Sequence, residues 1–417
     1  MRILYVVHQF FPEYVGGTEQ DTLDVAREMQ RRGHAPVIFH RASGPRALLH
    51  AEWEGIPLRR VQAGPMTPWA LFRATFGHQS IERAFYAVFR ETDPDLVHFQ
   101  HLMGLPASLV SWTRRMGRPA VISLQDFWFV CPNAQLLTND TQEVCTGPEK
   151  WSRCGRCALA RVNAQGALPL SPLFAPIMAA RGRVLRQALG RANVRLAFSR
   201  FVQEWYAQHS APMSFRYVER GIRRPEHLPA RSRTDRRIRF AYIGGLSWQK
   251  GVHVLIEAFN ALNDSVELII AGDETKFPDY VHHLRASCAH PGIRFVGRLN
   301  REQVWQTLVD SDVVAVPSLW FETYSMILHE ARAAGVPVIA AAHGALAEAV
   351  RDGVDGLLLP PGDVAAWRAA IQRLVDEPDL LAHLRAHVQP PMMMEEYVEQ
   401  LEALYAQVVG GRKSVSR

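Results

Sequence analysis

The chain has 417 residues, 48% hydrophobic and 21% charged, with a formal net charge of +6 and a pI near 9.2. That length exceeds what one hydrophobic core serves, so two domains are expected, each large enough to fold without disulfides. No run of about eighteen apolar residues occurs, as a membrane-spanning helix would need. The positive balance favours polyanionic partners, but no arginine-rich tract with interleaved aromatics marks a nucleic-acid groove, so a nucleic-acid partner is not expected.

The opening Met1-Arg2-Ile3-Leu4-Tyr5-Val6-Val7 is too short and too soon polar for a signal peptide and reads as the first buried strand of a cytoplasmic protein. It ends in His8-Gln9-Phe10-Phe11-Pro12, and Gly16-Gly17-Thr18-Glu19 then opens a helix with Leu23, Ala26 and Met29 inward and Gly33 as its stop. Paired glycines let backbone N–H groups approach an anion at a helix N-terminus, and they also serve any plain strand-to-helix turn. Further apolar runs at 35–39, 96–99, 120–124 and 194–198 alternate with helical stretches.

After the run at 120–124, Cys131, Cys145, Cys154 and Cys157 fall within one insertion, at about 126–160. The closing Cys-x2-Cys is a spacing used to clamp zinc, so a structural tetrathiolate site is expected, with free thiols or disulfides as the alternatives. The stretch 173–195 mixes apolar residues with Arg181, Arg183, Arg186 and Arg191. It reads either as an ordinary surface helix or as a basic amphipathic one making peripheral contact with an anionic membrane at its inner face.

The segment 220–237 is rich in Arg and Pro and reads as a hinge. Beyond it, apolar runs at 240–243, 266–271, 293–296, 313–316, 336–341 and 356–359 again alternate with helical stretches, the pattern of a doubly wound parallel sheet. The expected organisation is an N-terminal domain at 1–222 and a C-terminal one at 223–391. A final helix within 392–417, set off by Pro390-Pro391, packs back on the first domain.

Directly after the run at 240–243 comes Gly244-Gly245-Leu246-Ser247-Trp248-Gln249-Lys250-Gly251. Lys250 is placed to offer a compact charge to phosphate oxygens, although the spacing is not that of a P-loop. Glu322 and Glu330 stand eight positions apart where a loop runs into a short helix that Gly335 and Pro337 end. A carboxylate at the mouth of an open α/β sheet faces the crevice where ligands bind. Two carboxylates also fit a glycosidase pair, but the two glycine turns favour a phosphorylated donor.

Taken in order, His8-x-Phe-x-Pro with Gly16-Gly17, Gly-Gly-Leu-x4-Lys-Gly ending at Lys250-Gly251, Ile270-Ala-Gly-Asp273, Phe295-Val-Gly297, Pro317-Ser318, Glu322 with Glu330-Ala331, Gly335-Val-Pro-Val-Ile339 and Gly356-Leu-Leu-Leu-Pro-Pro-Gly-Asp363 resemble the retaining GT-B glycosyltransferases of family 4, the "group 1" transferases. The resemblance covers nearly the whole chain. It implies two Rossmann-like domains facing across a cleft, a nucleoside-diphosphate sugar donor carried on UDP or GDP, and a hydroxyl acceptor, lipid-linked or polysaccharide. No metal is implied in catalysis.

By the same resemblance Glu330 meets the ribose hydroxyls, Glu322 the transferred sugar, and Lys250 the diphosphate. Backbone N–H groups at Tyr324, Ser325 and Met326, together with Gly16 and Gly17, approach the same diphosphate, and Val296 and Gly297 seat the base. Two positions depart from the family. Gly245 stands where an arginine is common, and Gln125-Asp126 where a His-Asp pair is usual, leaving His101 or Gln125 to stand beside the donor sugar. An epimerase or a nucleotide-sugar-binding pseudoenzyme of the same fold are the rival readings.

Overall fold

The computed structural model describes residues 1–210, 212–233 and 237–411. Residues 234–236 of the expected hinge and 412–417 of the expected final helix lie outside them. The chain forms two compact units, Met1–Gly221 together with the segment from Met394 onward, and Ile222–Met393.

The N-terminal unit is built on eight strands: β1 (Arg2–Val7), β2 (Ala35–Ala42), β3 (Ala47–Trp53), β4 (Ile56–Gln62), β5 (Leu96–Phe99), β6 (Ala120–Leu124), β7 (Val194–Ala197) and β8 (Arg216–Tyr217). Their order is β3-β4-β2-β1-β5-β6-β7-β8, parallel throughout except for β3 against β4. Helices cover both faces of a parallel sheet, so β5 and β6 are buried at every position and read as unbroken apolar runs. The β3-β4 hairpin escapes that reading. It lies at the sheet edge, β3 is largely exposed, and Glu54 (φ 47°) and Gly55 (φ 80°) turn it.

The helix Met394–Gly410 belongs to this unit. His34 Nε2 lies 3.0 Å from Glu402 Oε1, Arg32 pairs with Glu402 at 3.3 Å, and His98 Nδ1 is bonded to Tyr405 Oη at 2.5 Å.

The C-terminal unit has six parallel strands, β9 (Ile238–Ile243), β10 (Val266–Ala271), β11 (Ile293–Gly297), β12 (Val313–Val316), β13 (Val338–Ala341) and β14 (Gly356–Leu359). Their order is β11-β10-β9-β12-β13-β14. The chain runs outward from β9 to β11, then returns to the other side of β9. That reversal opens a crevice beyond the carboxyl ends of β9 and β12. In the N-terminal unit the corresponding reversal lies between β1 and β5. Among the described residues no helix is long and apolar enough to cross a membrane.

Candidate active site

Lys250 follows β9 and Glu322 follows β12, so the strand order brings them to the two sides of the reversal. Lys250 Nζ lies 2.7 Å from Glu322 Oε1 and 5.0 Å from the centroid of the Trp320 ring. Ser318 Oγ donates to the same carboxylate oxygen at 2.7 Å and Trp320 Nε1 at 3.0 Å. All three donors converge on Oε1, which leaves Oε2 open to a ligand. Burial alone would raise the Glu322 pKa, but the Lys250 charge and these hydrogen bonds outweigh it and hold the carboxyl below its ordinary value.

The turn that carries Lys250 is fixed against the loop that carries Glu322. Leu319 N donates to Gln249 O at 2.8 Å, and Gly251 (φ 72°) packs so closely that a Cβ there would lie 1.9 Å from Pro317 O. Only glycine meets both the backbone angle and the contact. Gly245, four turn positions earlier than Gln249, has open space around it, and its carbonyl accepts from Tyr242 Oη at 2.6 Å.

Glu330 sits on the helix Met326–Ala333, whose N-cap Ser325 has a left-handed backbone, φ 67°. Arg301 Nη1 donates to Glu330 Oε1 at 2.7 Å. Burial pushes the Glu330 carboxyl above its ordinary pKa, and Arg301 only partly offsets this. Tyr324, just before the helix, stacks on His329 with ring centroids 3.9 Å apart. Val296 and Gly297 end β11, beyond β10 from the Lys250 turn. Val296 is 45% exposed.

In the N-terminal unit Gly16 caps the helix Gly17–Arg31, and a Cβ on Gly16 would meet Glu19 Oε2 at 2.6 Å. Three residues named separately in the sequence, His8, His101 and Asp126, come together nearby. His8 follows β1 and His101 follows β5, on the two sides of that unit's reversal, with ring centroids 4.3 Å apart. His101 Nε2 lies 3.0 Å from Asp126 Oδ2, after β6. Burial, with His101 alongside, drives the His8 pKa well below its ordinary value. His8 comes directly after an apolar run and His101 two residues after one, a signal that becomes informative only with the strand order. Gln125 is committed elsewhere: it donates to Gln100 Oε1 at 2.9 Å and Asp21 Oδ2 at 3.2 Å and accepts from Arg220 Nη2. Of the two candidates, His101 is the one paired with Asp126.

The zinc expectation needs correction. Cys131, Cys145, Cys154 and Cys157 do converge, lining one small cavity of about 30 Å³. Yet among the described residues no group of three or more His, Cys, Asp or Glu side chains is disposed to hold a metal ion. Two of the thiols have protein partners. Cys157 Sγ accepts from Asn133 Nδ2 at 2.8 Å and Asn139 N at 3.3 Å, and Cys145 Sγ donates to Gly147 O at 3.5 Å. Burial, with the neighbouring cysteines adding to it, pushes the Cys154 thiol up to about 12 and the Cys157 thiol to about 11. The insertion is anchored by burial of Phe127, Trp128, Phe129, Leu136 and Leu137. The fifth cysteine, Cys288, is half-buried in the C-terminal unit.

Two doubly wound α/β domains, each with a strand-order reversal in its sheet, are the architecture of the GT-B fold. The sequence profile for "Glycosyltransferase Family 4" matches residues 15–224, more than half of the chain, and that for "Glycosyl transferases group 1" matches residues 224–389. The chain belongs to the group 1 glycosyltransferases of family 4.

Among curated relatives, glycogen synthase of Mycobacterium tuberculosis (strain ATCC 25618 / H37Rv) is 34% identical over 140 residues, 33% of this chain and 34% of that protein. D-inositol 3-phosphate glycosyltransferase of Mycolicibacterium smegmatis is 31% identical over 182 residues, 42% of this chain and 41% of that protein. The matches thus span well under half of the length of these relatives. Among solved structures, sucrose-phosphate synthase of Thermosynechococcus elongatus aligns with a TM-score of 0.77 at 19% identity, over 98% of this chain and 99% of that one. Anabaena HepE in complex with UDP and glucose aligns with a TM-score of 0.69 at 18% identity, over 98% and 100%. At these identities the structures speak to fold alone.

Proposed function

We propose that this glycosyltransferase moves a sugar, with retention of anomeric configuration, from a nucleoside-diphosphate donor held by the C-terminal domain to an acceptor hydroxyl on a polysaccharide or a lipid-linked glycan. The observation that carries this is the Glu322 carboxylate, with three donors on Oε1 and Lys250 beside it at the strand-order reversal. In this reading Oε2 of Glu322 accepts from a hydroxyl of the donor sugar. Lys250 stands between that carboxylate and the diphosphate. As the glycosidic bond breaks, negative charge grows on the leaving oxygens, where a fixed cation and the dipole of the helix Met326–Ala333 stabilise it more than they stabilise the ground state.

Glu330, whose Oε1 is tied to Arg301, keeps Oε2 for the ribose hydroxyls, and Val296 with Gly297 offers the base a platform. Gly16 and Gly17 open a second helix N-terminus suited to anionic oxygens. Leaving-group charge is met by Lys250 and helix N–H groups rather than by a divalent cation. A UDP-sugar is the first donor to test, since the similar HepE was solved with UDP, and a GDP-sugar the second. The experiment is release of nucleoside diphosphate from UDP-, GDP-, ADP- and dTDP-sugars, with and without EDTA, followed by NMR of the product's anomeric centre. Slow, EDTA-insensitive release from one donor supports the reading. Epimer formation, or binding without turnover, contradicts it.

A further inference from the structure

The N-terminal domain encloses a cavity of about 540 Å³ between the helices Pro68–Ala74, Trp151–Arg161 and Ala175–Arg191, a volume in the range of small-molecule sites. Its walls are chiefly Trp69, Leu71, Phe72, Leu159, Phe174 and Met178. The few polar groups are mostly engaged. Arg181 Nη2 donates to Trp128 O at 2.7 Å and its guanidinium lies 5.0 Å from the Trp128 ring centroid. Arg161 Nη1 donates to Asn133 Oδ1 at 3.2 Å, and Asn133 Nδ2 to Cys157 Sγ at 2.8 Å. Thr75 lines the cavity, is 1% exposed, and its hydroxyl has no hydrogen-bond partner among the described residues.

A saccharide entering such a space would give up hydrogen bonds to water and find few replacements, at a cost of kilocalories per group. An apolar chain would lose none. The apolar lining also continues to solvent, since Trp69 is 59% and Val162 50% exposed, and Leu173, beside the lining Phe174, is 75% exposed.

Residues 151–200, which include two of the three wall helices, hold nine arginines and no Asp or Glu, against +6 for the whole chain. Arg161 and Arg181 line the cavity itself, while Arg156 is paired with Asp140 at 2.7 Å, so the two wall helices bring a net positive charge to its rim. Arg153, Arg161 and Arg183 are exposed on these helices, and Arg73 on the third.

We propose that the cavity binds the chain of an amphipathic anionic ligand, with an alkyl or isoprenoid tail inside and a phosphate-type head on the surrounding arginines. That this ligand is the glycosyl acceptor rests on the transferase reading above. The binding site does not.

The test titrates the full chain with octyl, decyl and dodecyl phosphate below their critical micelle concentrations, alongside decyl glucoside and inorganic phosphate, and reads tryptophan fluorescence and heat. Affinity is expected to rise about fourfold per added methylene until the cavity is full. Decyl glucoside should bind several-fold more weakly than decyl phosphate, and inorganic phosphate alone should not compete. Ala158, half-buried in the cavity wall, is the filling position, and Ala158→Phe should weaken decyl phosphate at least tenfold. Affinity independent of chain length, or unaltered by Ala158→Phe, overturns the proposal.

Should Ala158→Phe fail to fold, Thr75→Val decides. Chain binding unchanged or tighter supports the apolar site, and a tenfold loss shows that a ligand hydroxyl sits there and overturns it. Sedimentation with anionic phosphatidylglycerol vesicles without any binding of monomeric alkyl phosphate would assign the arginines to a bilayer surface and overturn the cavity site. A protein that binds decyl phosphate but releases no nucleoside diphosphate from any donor keeps the site and loses only its role as acceptor.

Discussion

Lys250 and Glu322 are 72 residues apart in the chain and 2.7 Å apart in the fold. Neighbouring parallel strands β9 and β12 set their approach, and the contact of Gly251 with Pro317 locks it. The two charges hold each other: the lysine keeps a buried carboxyl ionised, and the carboxylate fixes a flexible ammonium in one place. Removing either one therefore alters the other, and single variants report on the pair.

Lys250→Met is expected to lower kcat/KM by roughly tenfold to a hundredfold, since a charge-assisted contact is worth about 1.5–3 kcal/mol. A second effect has a definite sign. Without Lys250, burial dominates Glu322 and its pKa rises above the ordinary value, so the acid limb of the pH–rate profile moves to higher pH. Unchanged kinetics at subsaturating donor would place the diphosphate elsewhere.

Glu330→Gln should weaken nucleotide binding about tenfold, whereas Glu322→Gln should mainly lower kcat, because one is assigned to the ribose and the other to the reacting sugar. The Glu330 carboxyl is raised by burial. Nucleotide affinity is therefore full above that raised pKa and falls as pH drops through it, and Glu330→Gln flattens this dependence. Calorimetric titration of nucleoside diphosphate across pH, set beside steady-state rates, separates the two carboxylates.

Gly251 and Gly245 share a turn and answer substitution in opposite ways. Gly251→Ala must hold φ near 72° with a Cβ 1.9 Å from a backbone oxygen, costing roughly 2–4 kcal/mol. That corresponds to a fall on the order of 5–10 °C in the thermal transition of its domain. Gly245 faces open space, so Gly245→Arg should be tolerated and should tighten nucleoside-diphosphate binding severalfold by adding a second cation. Scanning calorimetry and nucleotide titration of both variants check the contrast.

How much of this was legible in sequence depends on how local each feature is. The buried parallel strands show as apolar runs because helices cover both of their faces, which is why β9 to β14 were readable from 240 onward. The β3-β4 hairpin was not, because an exposed edge strand alternates with polar residues and gives no run. Lys250 and Glu322 each sit in a glycine- or proline-bounded turn after a strand, so they could be nominated singly, while their contact depended on strand order. His8, His101 and Asp126 belong to three different turns and carry no spacing signal. Four cysteines in an insertion suggest metal, and what spacing cannot show is that Asn133 and Asn139 donate to the Cys157 sulfur and that no metal-holding group forms among the described residues.

The N-terminal domain should lose stability as pH falls below neutrality, through histidines that are buried uncharged. Burial lowers the His98 pKa to about 3 and that of His40 to about 4, and drives His8 well below its ordinary value. In the unfolded chain each takes a proton near pH 6.5. The contribution is therefore complete above about pH 6.5 and is lost as pH falls from there toward 4 and 3, where the folded state begins to bind the same protons. Within that window each histidine adds a slope of about 1.4 kcal/mol per pH unit. His98 is the most telling position, because its ring joins Tyr405 of the last helix to Ser123 of β6, at 2.5 and 2.8 Å. His98→Gln keeps a donor and an acceptor there but cannot titrate. Urea unfolding followed between pH 7.5 and 4.5 should show a steep fall for the natural chain and a slope smaller by about one proton for the variant; a flat profile, or an unaltered slope, would mean that these rings are charged in the folded protein.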